Sequence, residues 1–330
     1  MEQIRIVVTI DGEGVDVNDK LYIMKVIDDS TSDVLQNIEI KQIVSRDSYA
    51  FIIDKNNKLL SMGDNEYGQL GLGDNKSRNI FTYTGYDNVK QVTCGDNHTF
   101  IIDKNGKLLA TGYNAYGQLG LRDNINRSSF TDTNYYDVQQ VICGNNHTFI
   151  IDKDNKLLVT GYNKDGRLGL GNNENKNVFV DTGYANVKQV VCGTYHTCII
   201  DEYDRLLSTG RNDKGQLGLG DNKDRSIFTY TGHDGVRQVA CGGYHTIIID
   251  KDSDLLATGD NGYGQLGLGD NDDRNIFTNT GIRDIKQIIG GKYHTLIMGK
   301  GCSLLVAGYD EYNQSYADNV DNKNVFTKIN

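Results

Sequence analysis

The chain has 330 residues, enough for one large domain or two ordinary ones. With 38% hydrophobic and 24% charged residues it reads as a soluble globular protein, and no apolar stretch is long enough to cross a bilayer, so membrane insertion is not expected. The formal net charge of -10 argues against nucleic acid as a partner, because binding a phosphate backbone rests on clustered Lys and Arg.

In chain order, the first segment opens MEQIRIVVTIDGEG. It carries an acid at Glu2 and only a short apolar run before Asp11 and Glu13, unlike the basic-then-apolar plan of a secretory signal, so synthesis in a cytoplasm is expected. Within residues 1–39, IRIVVTID, KLYIMKVID and DVLQNIEI are predicted strands.

From residue 40 the chain repeats. Units start at Ile40, Val89, Val138, Val187, Val236 and Ile285, each 49 residues after the last, giving repeats 40–88, 89–137, 138–186, 187–235, 236–284 and 285–330. In the second copy the apolar stretches are short, rich in Val, Ile, Phe and Thr, and parted by Gly, Asn and Asp, which is the pattern of strands. Four strands per unit are predicted there: VKQVTC, HTFIID, KLLATG and the late FTDT, with Asp103-Lys104-Asn105-Gly106 as a hairpin turn and GQLGL in the long last connection. One four-stranded sheet cannot bury both its faces, so stacking of similar sheets must supply the core. The expected fold is an all-β propeller of seven blades, with residues 1–39 as a degenerate first blade and the terminal Phe326 strand as the clasp. The alternative is six blades plus an N-terminal attachment segment.

Two recurring sequences carry a family resemblance. Cys94-Gly95-Asp96-Asn97-His98-Thr99 recurs at Cys143, Cys192 and Cys241 and becomes Gly290-Gly291-Lys292-Tyr293-His294-Thr295, while Ser45, Arg46 and Tyr49 mark a decayed first copy. Gly68-Gln69-Leu70-Gly71-Leu72-Gly73-Asp74 recurs from Gly117, Gly166, Gly215 and Gly264, and the last copy has Asn313-Gln314-Ser315-Tyr316-Ala317. About nine-tenths of the chain thus resembles the regulator of chromosome condensation repeat family, and the short uniform units ending in Asn324-Val325-Phe326-Thr327-Lys328 look like its bacterial and phage tail or surface versions. The resemblance implies a seven-bladed propeller. Among the family's roles, nucleotide exchange on a small GTPase uses an inserted wedge and a basic tail; the uniform spacing leaves no wedge here and the acidic charge no chromatin surface. Enzyme inhibition by a secreted propeller is a second role, and recognition within a surface or tail-like assembly a third.

The repeat also supplies candidate residues. His98, His147, His196, His245 and His294 share one position and four Cys another, but equivalent positions on separate blades lie on a circle, whereas zinc needs ligands within roughly 2.0–2.3 Å of one point. Each His is therefore read as bonding backbone within its own blade and each Cys as a small apolar filler, with no disulfide framework, no metal and no cofactor. Arg78, Arg127, Lys176, Arg225, Arg274 and Lys323 are equivalent, each four residues after an Asp or Asn. They are read as tying down the long loop through an Asp-to-Arg or neighbouring-blade bond, with a ligand-facing ring of cations as the alternative.

Positions that vary on a fixed frame are better candidates for recognition. One strip holds Tyr67, Tyr116, Lys164, Lys214, Tyr263 and Tyr312; a second, just before the histidines, holds Tyr195, Tyr244 and Tyr293. Against these stands surface drift with local packing. No catalytic constellation rises above the repeat. The expectation is a non-enzymatic module that binds a protein or cell-surface glycan, as part of a phage tail-like or surface assembly of several copies. An intracellular adaptor or exchange-type regulator is the first alternative, an enzyme inhibitor the second.

Overall fold

A computed structural model describes residues 40–46, 48–299, 303–309 and 323–328. The expectations for residues 1–39 and for Tyr312 lie outside them. Among the described residues the chain is all-β, and no helix is long and apolar enough to cross a membrane.

Six antiparallel sheets of four strands follow the repeat. The first holds β1 (Ile40–Arg46), β2 (Tyr49–Asp54), β3 (Leu59–Gly63) and β4 (Arg78–Tyr83); the second, β5 (Val89–Cys94), β6 (His98–Asp103), β7 (Leu108–Gly112) and β8 (Arg127–Asp132). The third holds β9 (Gln140–Cys143), β10 (His147–Ile151), β11 (Lys156–Gly161) and β12 (Lys176–Ala185); the fourth, β13 (Gln189–Cys192), β14 (His196–Ile200), β15 (Arg205–Gly210) and β16 (Arg225–Asp234). The fifth holds β17 (Gln238–Cys241), β18 (His245–Ile249), β19 (Asp254–Gly259) and β20 (Arg274–Arg283), and the sixth β21 (Ile285–Gly290), β22 (His294–Gly299), β23 (Leu304–Gly308) and β24 (Lys323–Lys328). Each sheet pairs its strands in chain order. The Phe326 strand, β24, pairs with β23 of its own sheet, and a clasp to residues 1–39 falls outside the described residues.

By contact the chain divides into two compact units, one reaching Gly161 and including Asn175–Asp181, the other made of Tyr162–Glu174 and the chain from Thr182 onward. In each, the core lies between successive sheets. In the first unit Phe51, Ile53 and Leu59 pack with Val89, Val92 and Ile101 of the following sheet, and Phe100, Ile102 and Leu108 with Val138, Val141 and Ile150. In the second, Cys198, Ile200 and Leu206 pack with Val236, Val239 and Ile248, and Ile247, Ile249 and Leu255 with Ile288 and Ile297. Burial on both faces explains why HTFII-type strands are apolar without alternation: all five residues of β10, β14 and β18 are buried. The outermost strands alternate instead, as β16 and β20 show.

The turns obey the same logic. The hairpin between second and third strands needs one left-handed residue, filled by Asn57, Gly106, Asn155, Asp204 or Ser253 in turn, with φ between 60° and 76°. In the long loop Gly71 takes φ 69°, and a Cβ there would stand 2.4 Å from the Phe130 ring of the next sheet. Only glycine lets that ring seat on the loop.

Candidate functional site

The five repeated histidines begin strands β6, β10, β14, β18 and β22. The first four are fully buried. The sequence suggested bonds to backbone of their own sheet; for His98, His196 and His245 the partner is instead a threonine side chain of the next sheet. Nε2 lies 3.0 Å from Thr148 Oγ1 for His98, 2.8 Å from Thr246 for His196, and 3.0 Å from Thr295 for His245. The reason is sheet stacking: the imidazole faces the neighbouring sheet, where the threonine hydroxyl is the polar group in reach. Burial pushes His98, His196 and His245 down to about 3, so they are neutral near pH 7; the charges of Arg46 and Arg167 add to this at His98 and His196. In the first sheet Tyr49 stands where histidine stands elsewhere, and its hydroxyl reaches the next sheet at the carbonyls of Gly95 and His98, 2.8 and 2.7 Å away.

The cations after the long loop fold back on their own Asp. Arg78, Arg127, Arg225 and Arg274 pair with Asp74, Asp123, Asp221 and Asp270 at 2.6–2.8 Å. Each also donates to a loop carbonyl two residues before it. These partners hold the carboxyls of Asp74 and Asp221 below the usual carboxylate range, through the Arg bond first. Lys176 and Lys323 open β12 and β24 at the equivalent position.

The two variable strips converge because of a third position that the sequence reading missed. The residue after the glycine ending each third strand donates its N–H to the carbonyl of the residue before the histidine: Tyr113 to Asn97, Arg211 to Tyr195, Asp260 to Tyr244 and Tyr309 to Tyr293, at 2.8–3.0 Å. This places the second strip beside the third position; Tyr67, Lys214 and Tyr263 of the first strip reach the third position of the following repeat, Tyr263 also the second strip there, whereas Tyr116 meets Tyr113 within its own repeat. Tyr67 stacks edge-on against Tyr113 at 4.9 Å, Tyr116 lies 5.8 Å from Tyr113, and Tyr263 lies 4.8 Å from Tyr309 and 5.5 Å from Tyr293. Lys214 makes the same step as an ion pair, 3.4 Å from Asp260, and also meets Asp273 at 2.9 Å. Lys164 is exposed.

The second unit carries the densest group. Tyr195 and Tyr244 lie 4.6 Å apart, tilted by 37°. Arg211 covers both, 5.2 and 5.4 Å from their ring centres, while Asp213 holds its guanidinium at 2.6 and 2.8 Å. Arg167 lies 4.7 Å from the centre of Tyr162 and 5.3 Å from that of Tyr195. Burial, then the bond with Tyr195, pushes the Tyr244 phenol up. Arg167 departs from the repeat, since Gln69, Gln118, Gln216 and Gln265 occupy the same position. Its side chain is 2% exposed; it donates to the Thr194 carbonyl at 2.7 Å and pairs with Asp165, while Nε has no partner. The sequence had pointed to Tyr195 and Tyr244; the Gln-to-Arg change is the signal that could have added Arg167 to them.

Rigid rings and guanidinium groups of this kind supply contact area and directed hydrogen bonds at little cost in entropy, which suits them to hold a macromolecular ligand.

The comparisons agree with this architecture. The regulator of chromosome condensation (RCC1) repeat matches residues 56–102, 105–151, 154–200 and 203–249, more than half of the chain, and a second form of the repeat matches 89–118, 138–167, 187–216 and 236–265. No curated protein sequence matches. Among solved structures the chain is similar to yeast RCC1 (Prp20) bound to Kap60, with TM-score 0.77 and 18% identity over 88% of this chain and 75% of that one. It is similar to human WBSCR16, with TM-score 0.76 and 19% identity over 89% and 82%. Prp20p from Saccharomyces cerevisiae, described with its binding to Gsp1p and histones, gives TM-score 0.73 and 18% identity over 88% and 77%. The chain belongs to the regulator of chromosome condensation repeat family and has its β-propeller fold.

Proposed function

We propose that the chain is a non-catalytic binding protein that takes a protein partner on the tyrosine and arginine surface of its second unit. The observation that carries this is the group Tyr162, Arg167, Tyr195, Arg211 and Tyr244, where residues of three successive repeats meet. Tyr and Arg dominate the energetics of protein interfaces; Arg167 is itself buried and serves by backing the Tyr162 and Tyr195 rings. A non-catalytic role is supported by the histidines: at about 3, bound to threonine and buried, His98, His196 and His245 are poor bases near neutral pH.

In finer detail the reading is a seven-bladed propeller completed by residues 1–39, acting as a recognition component of a phage tail-like or cell-surface assembly. Uniform 49-residue spacing without an inserted wedge supports it. A second reading, an adaptor or exchange-type regulator, is favoured by the similarity to RCC1 structures whose descriptions name Kap60, Gsp1p and histones.

Purification of the chain from its own source, wild type beside Tyr195→Ala/Tyr244→Ala, tests both. A protein that accompanies the wild type and is lost from the folded variant supports the surface assignment, and equal recovery overturns it. Recovery in large particles with structural proteins carries the assembly reading; a small GTPase whose nucleotide release the chain accelerates replaces it with the exchange reading.

A further inference from the structure

Three buried groups in the fourth and fifth sheets come together as they do nowhere else among the described residues. On β14 the two-residue period puts His196 and Cys198 on one face. That face packs on β17, whose last residue is Cys241. The ligating atoms of His196, Cys198 and Cys241 all lie within 4.8 Å of one another. All three residues are buried.

The repeat shows that this is a local departure. The position of Cys198 is Phe51, Phe100, Phe149, Ile247 and Leu296 in the other copies. Phe51 packs in one core with Cys94, and Phe100 in one with Cys143, so a ring normally fills the space before the cysteine of the next sheet. Only here does a second thiol replace it. The imidazole is also available. Thr246 donates its hydroxyl to the Gln216 carbonyl at 2.7 Å, so it accepts from His196 Nε2–H, and Nδ1 is left as a buried lone pair without a partner. An Nδ1 without a partner occurs also at His98 and His245, but among the described residues only His196 has two thiols within 4.8 Å of a ring nitrogen.

We propose that His196, Cys198 and Cys241 form a buried binding site for a thiophilic divalent cation, Zn2+. Two thiolates and a neutral imidazole are among the ligand sets zinc takes, at about 2.3 Å from sulfur and about 2.0 Å from nitrogen, so the groups need to close by only a fraction of their present spacing. Charge favours Zn2+ over Cu+: two thiolates with Zn2+ are neutral, whereas with Cu+ a net negative charge stays in an apolar core. Binding releases both thiol protons to solvent and ties the fourth sheet to the fifth.

The test is titration of the reduced, metal-free full chain with Co2+ and then Zn2+. The expected result is one Co2+ per chain with a sulfur-to-cobalt charge-transfer band, bleached by one equivalent of Zn2+. Cys198→Ile, which installs the residue of the next repeat, and Cys241→Ala should each lose the band or weaken binding at least tenfold while keeping the β circular dichroism, and Cys94→Ala should leave it unchanged. Absence of the band, its persistence in folded Cys198→Ile, or tight binding of Cu+ alone overturns the assignment.

Discussion

His98 Nε2 and Thr148 Oγ1, fifty residues apart and on successive sheets, lie 3.0 Å from each other in the core. The threonine hydroxyl donates onward to the Gln118 carbonyl at 3.0 Å, so the imidazole must be the donor to it. Imidazole, hydroxyl and carbonyl form a chain that fastens one repeat to the next.

Thr148→Val keeps shape and removes the hydroxyl, leaving a buried N–H and a carbonyl without partners. It should cost about 1–3 kcal/mol in denaturant unfolding. Thr131→Val, whose hydroxyl bonds only the nearby Ser129 carbonyl, should stay within about 0.5 kcal/mol. Equal effects at the two sites would remove the inter-sheet bond as a source of stability.

The same histidines set a pH dependence. Their folded values, about 3, lie below the ordinary 6.5, so between those limits the unfolded chain binds more protons. Stability is therefore full above about pH 6.5 and falls as pH drops toward 3, by up to about 1.4 kcal/mol per pH unit for each histidine. The depressed carboxyls of Asp74 and Asp221 act only below the ordinary 3.8, which leaves pH 4–6.5 to the histidines. Unfolding titrations should show this slope, and His245→Gln should flatten it; a flat profile in that window would contradict the assignment.

In the long loop the neutral residue should outweigh the charged one. Asn212 is fully buried, accepts from Leu217 N–H at 2.9 Å and donates to the Asp221 carbonyl at 2.8 Å. Asn212→Ala should cost about 2–3 kcal/mol, because two backbone groups lose partners. Arg225→Ala breaks a solvent-reached pair with Asp221 and should cost about 0–1 kcal/mol, less at high salt. Thermal unfolding of both variants in low and high salt measures the order.

Arg167→Gln restores the residue of the other repeats and removes a buried guanidinium with an unpartnered Nε. Unfolding free energy should hold or rise, while affinity for the partner falls by about 1–3 kcal/mol as the cover over Tyr162 and Tyr195 is lost. A loss of stability with unchanged affinity would make Arg167 a purely structural residue.

Much of this was legible in the sequence. The strands VKQVTC and HTFIID coincide with β5 and β6, and Asp103 to Gly106 forms the expected turn, because period and turn chemistry are local properties. The late strand begins at Arg127 and not Phe130, since the Arg127 carbonyl accepts from the Thr111 hydroxyl and holds that end in the sheet. The histidine partner could not be read, because it depends on which face meets the next sheet. Two strips of variable residues could be read, but the third position that unites them is ordinary until the hairpin ladder sets Arg211 against Tyr195. The thiol pair of Cys198 and Cys241 likewise needs the packing of β14 on β17.

The central claim, that a protein partner seats on the tyrosine and arginine surface of the second unit, is tested most directly by site-specific photocrosslinking in the native host. A benzophenone side chain is placed singly at Tyr195, at Tyr244, and at Tyr230 on the outer strand β16, a residue that is 44% exposed. The account predicts one discrete protein adduct from positions 195 and 244 and none from 230. An adduct from 230 with none from 195 or 244 would contradict it.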